Sequence, residues 1–111
     1  MGVKIGEVAN KLVKKHKEYR IVELSHSKAS ITDEKENFWI ELETRWEGRG
    51  EGIFVSISTK GKIPNDEELW DFEVKRSFYD YEVRELNEDI LLDLIENALS
   101  ILKGVKVVSE V

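Results

Sequence analysis

The sequence predicts an α+β domain, a two-layer sandwich with an N-terminal helix, an antiparallel meander of three to four strands and a C-terminal helix. Three observations predict it. Apolar residues near the N-terminus recur at three- and four-residue steps. Residues 38–58 alternate with period two around a Gly-rich break, and residues 87–104 return to helical spacing. Helices at both ends of an antiparallel sheet bury their apolar stripes against one of its faces, which makes two layers.

The first helix is expected over residues 5–18. Ile5, Val8, Ala9, Leu12, Val13 and His16 share one stripe, and Lys11, Lys14, Lys15 and Lys17 lie off it. From Tyr19 to Leu24 the chain is rich in β-formers. Ser25-His26-Ser27-Lys28 reads as a bend or turn before Ala29–Thr32, and the polar cluster Asp33–Asn37 as a second turn.

Phe38, Ile40, Leu42, Thr44 and Trp46 then alternate with Trp39, Glu41, Glu43 and Arg45, the pattern of a half-buried strand. Ile53, Val55 and Ile57 repeat it after Glu47-Gly48-Arg49-Gly50-Glu51-Gly52, so the two strands form a hairpin. That Gly-rich stretch is not a phosphate loop. It lacks the Lys-Ser/Thr pair, precedes a strand instead of a helix, and carries carboxylates that repel phosphate.

Residues 65–76 admit two readings. Asn65-Asp66-Glu67-Glu68 resembles a helix start, with a capping Asn and an acidic first turn. Trp70, Phe72 and Val74 alternate as in a strand, and beyond Phe78 the apolar phase shifts to Tyr79, Tyr81 and Val83. Either a helical turn at 65–70 precedes a bulged strand, or a short helix reaches about residue 75 and the strand occupies 77–84.

Asn87-Glu88-Asp89 opens the last helix, which carries a wide apolar face of Ile90, Leu91, Leu94, Ile95, Ala98, Ile101 and Leu102. Lys103-Gly104 is the expected stop, a cationic last turn followed by a terminal glycine. Val105–Val111 would then add a short final edge strand.

No repeat or linker divides the 111 residues, so residues 1–111 make a single domain. With no Cys there are no disulfides, thiolate metal sites or Cys nucleophiles, in keeping with a reducing cytoplasm. No leader-like or membrane-spanning apolar run is present. A composition 36% charged, dominated by Glu and Lys and free of Gln, points to a thermophilic source. The net charge of −6 disfavours general binding to nucleic acid.

The candidate functional residues fall into four groups. Trp39, Phe54, Tyr79, Tyr81 and Val83 lie out of phase with the core among acidic neighbours. They form a candidate interaction surface, because aromatic residues are enriched where proteins meet. Lys11, Lys14, Lys15 and Lys17 form a basic stripe. Glu41 and Glu43, with Asp71 and Glu73 across intervening Ser56 and Ser58, would give an outer carboxylate face able to take a divalent cation. Arg45 and Lys75 on that face favour ordinary solvation instead. His16 and His26 sit in different elements and make neither a metal site nor a triad.

The sequence therefore predicts a small non-enzymatic interaction or binding module. It pairs with itself through the outer sheet face or the 79–83 edge, or binds another protein, and uses no cofactor, metal or membrane. Two alternatives stay open: a nucleic-acid-binding protein using the basic N-terminal helix, and a carboxylate or divalent-metal-dependent enzyme on the outer sheet face.

Overall fold

A computed structural model describes residues 3–35, 37–47, 50–62, 68–79 and 85–109, with side chains for 3–35, 37–44, 52–59, 76–78 and 85–104. The order is α1 (Ile5–Lys15), β1 (Tyr19–Leu24), β2 (Lys28–Asp33), β3 (Phe38–Glu47), β4 (Gly50–Lys62), β5 (Glu68–Tyr79) and α2 (Glu88–Ser109). The strands form one antiparallel sheet in sequence order, β1-β2-β3-β4-β5. The α+β sandwich expected from the sequence is the architecture observed, with five strands in place of three or four.

Register explains the core. Ile21, Ile31, Ile40, Ile57 and Val74 stand opposite one another across all five strands. A parallel row runs through Ala29, Leu42, Val55 and Arg76, and a third through Thr44, Ile53 and Phe78. Ala29, Ile31, Ile40, Leu42, Ile53 and Ile57 are all but inaccessible. β-Branched residues packed in such rows suit a pleated surface and restrict the sheet to one register.

Both helices lie on this inner face. α1 covers β1, β2 and β3 with Ile5, Val8, Ala9 and Leu12, whereas α2 lies over β4 and only reaches β5. Fully burying each aliphatic side chain contributes about 1.5–3 kcal/mol, so these stripes fix where the helices sit.

Four local expectations change. α1 stops at Lys15, not at residue 18, because His16 takes an extended backbone conformation (φ −119°, ψ 96°). Residues 68–70 are strand, so the helical turn that both readings place there is not formed, and residues 63–67 lie outside the described residues. β5 is bulged, but near its start and not at the phase change after Phe78, where the register is unbroken: Gly61 pairs with Leu69 but Thr59 with Phe72, leaving an extra residue on β5. The final edge strand is not formed, because α2 passes through Gly104 and continues to Ser109. Ile101, Val105 and Val108 keep four- and three-residue spacing across that glycine, which weakens a helix by only about 1 kcal/mol.

The remaining turns follow their side chains. Asp33 Oδ1 accepts the Phe38 N–H at 2.9 Å, and Thr32 Oγ1 donates to the Phe38 carbonyl at 2.8 Å, closing the β2–β3 turn. Ser25 Oγ accepts the Lys28 N–H at 3.1 Å in the β1–β2 turn that exposes His26. Asn87 Oδ1 accepts the Ile90 N–H at 2.9 Å and caps α2 as the sequence predicts.

Candidate interaction surface

The apolar surface of α2 is wider than the sheet can cover. At 100° per residue, its aliphatic side chains from Ile90 to Leu102 span roughly 200° of the helix circumference. Leu91, Leu92, Ile95, Ala98, Leu99 and Leu102 are buried against the sheet and α1. Ile90, Leu94 and Ile101 are 42%, 42% and 62% exposed. With Asn97 these three occupy positions i, i+4, i+7 and i+11, one straight ridge about 16 Å long.

Beside the ridge lies a groove of about 390 Å³. Its floor is Val55 and Ile57 of β4 with Arg76 and Phe78 of β5, and its wall is Leu91, Leu94, Asn97, Ala98 and Ile101 of α2. Of the described helices neither is centred over β5, and this leaves the groove beside α2. The Arg76 guanidinium lies 4.8 Å from the centroid of the Phe78 ring, a cation–π contact that sets one positive charge in an otherwise apolar floor.

The opposite flank of α2 is polar and closed by α1. Glu88 Oε1 accepts the Lys4 N–H at 3.1 Å, and Lys11 Nζ donates to Asp89 Oδ1 at 3.0 Å. Lys15 Nζ lies 3.0 Å and His16 Nε2 2.6 Å from Glu96 Oε2, while Lys103 Nζ is 3.9 Å from Glu18. The hydrogen bond to His16, then that to Lys15, holds the Glu96 carboxyl below its ordinary range. The Lys4 N–H does the same for Glu88, and the hydrogen bond to Asp89 raises Lys11.

A polar cleft of about 280 Å³ opens along this flank, lined by His16, Tyr19, Glu96, Leu99, Ser100 and Lys103. Burial, with help from the nearby Glu18 and Asp33, pushes the Tyr19 phenol up to about 12. The ring meets His16 edge-on at 6.4 Å, and the Lys103 ammonium lies 5.8 Å from its centroid. Cations and carboxylates are matched within 4 Å here, as in a structural clasp between two helices.

The residues singled out from the sequence are placed as follows. Trp39 and Phe54 face the outer side of the sheet, both partly buried, and Trp39 Nε1 donates to Glu41 Oε1 at 3.0 Å. The side chain of Tyr79, and Tyr81 and Val83 altogether, lie outside the described residues. Of the basic stripe, Lys11 and Lys15 are engaged by α2, and Lys14 and Lys17 point to solvent.

On the outer face, register forms the row Glu23, Ser30, Glu41, Ser56 and Lys75, and the row Thr32, Trp39, Ser58 and Glu73. Ser56 thus stands between Glu41 and Lys75, and Ser58 between Trp39 and Glu73, so the carboxylates expected on either side of the serines are offset along the sheet. Lys28 Nζ stands 4.0 Å from both Glu23 and Glu41. Among the described residues, no group of three His or carboxylate side chains could hold a metal ion.

Sequence reasoning missed the groove. Its one signal was the width of the α2 apolar face, which the sequence shows but which only the placement of α2 over β4 divides into covered and open parts. Among the described residues no helix is long and apolar enough to cross a membrane. No protein family, curated protein or solved structure matches the chain.

Proposed function

We propose that this chain is a non-enzymatic protein-interaction module whose docking surface is the groove between α2 and β5. One observation carries this: Ile90, Leu94 and Ile101 form an exposed aliphatic ridge along an apolar groove, on a domain whose other helix flank is satisfied internally. Contiguous apolar surface on a highly charged chain marks a place where another surface sits. Asn97 on the wall supplies a polar group able to orient a partner. Cytoplasmic residence and a thermophilic source belong to the same proposal, on the Cys-free, Glu- and Lys-rich composition.

The test is a photo-crosslinking amino acid at Ile101 in cells expressing the chain, with Lys14 as an exposed control. A discrete protein adduct at Ile101 and none at Lys14 is expected. Equal labelling, or no adduct at Ile101, removes the groove as a docking surface.

A further inference from the structure

We draw no further inference here: the strongest candidate, the apolar groove between α2 and β5 with the exposed ridge of Ile90, Leu94 and Ile101 beside it, carries nothing beyond the docking surface already proposed, because nothing in the structure shows what covers it.

Discussion

The two flanks of α2 solve the same problem in opposite ways. Toward α1 the helix presents Glu88, Asp89, Glu96 and Lys103, and each meets an atom of α1 or of the residues flanking it within 4 Å. Toward β5 it presents Ile90, Leu94 and Ile101, and the neighbouring strand leaves them open. Polar groups at a helix–helix contact gain little net energy but are costly to leave unpaired, so that flank is satisfied within the chain. Apolar groups gain simply by leaving water, so the open flank holds free energy that only another surface can release.

The largest expected effect separates the buried row of α2 from its open ridge. Ile95 is inaccessible and Ile101 is 62% exposed, two isoleucines six residues apart on one helix. Ile95→Ala should cost about 2–5 kcal/mol and lower Tm by roughly 10 °C or more, at any protein concentration. Ile101→Ala should change the protomer by less than about 0.5 kcal/mol. Any larger loss of Tm in Ile101→Ala should vanish on dilution, because it then reports lost association and follows mass action. Calorimetry or thermal circular dichroism over a concentration series checks both. Equal, concentration-independent losses would erase the distinction between the flanks.

How much of this was legible beforehand follows the same division. Period-two alternation placed Phe38, Ile40, Leu42, Ile53, Val55 and Ile57 inward, and all six are buried, because a strand's two faces are decided locally. The Asn87 cap was equally local. The end of α2 was not: Lys103-Gly104 has the composition of a helix stop, yet the chain continues to Ser109 through a glycine that a helix tolerates at modest cost. The groove depends on where two helices settle over five strands, a long-range outcome that no window of sequence encodes. The clasp was hidden for the same reason. Lys11 and Lys15 read as a basic stripe until α2 brings Asp89 and Glu96 beside them.

A smaller effect should come from opening the closed flank at Glu96, the carboxylate shared by Lys15 and His16. Glu96→Gln keeps the shape, removes the charge, and should cost about 1 kcal/mol near neutral pH, a few degrees of Tm. The pH dependence has a definite sign. A carboxyl held below its ordinary value in the folded chain adds stability that is fully present above the unfolded value of about 4.3 and is lost as pH falls through the folded one. Wild-type Tm should therefore fall in acid more steeply than that of Glu96→Gln, and the curves should converge at low pH. Parallel curves would mean that the His16 and Lys15 contacts add no stability.

The smallest effect at neutral pH is expected at Tyr19, and it changes with alkalinity. The ring is buried at the base of the clasp, and Tyr19→Phe keeps that ring, so Tm at pH 7 should hardly move. In the folded chain the phenol is pushed up to about 12, chiefly because burial disfavours the phenolate, against an ordinary value near 10. A group whose folded value is raised contributes stability that is fully present below its unfolded value and disappears as pH climbs through the folded one. Between about pH 10 and 12 the unfolded chain ionises this phenol while the folded chain resists, so wild type should lose stability across that window. Tyr19→Phe should lose less there, and the gap between the two proteins should grow with pH until the folded chain also ionises. Spectroscopic titration of the phenolate, run beside the melts, identifies the group. A Tyr19 that titrates near 10 in the folded chain would show that the cleft floor admits water freely, and the closed flank would then be as open as the ridge on the other side of α2.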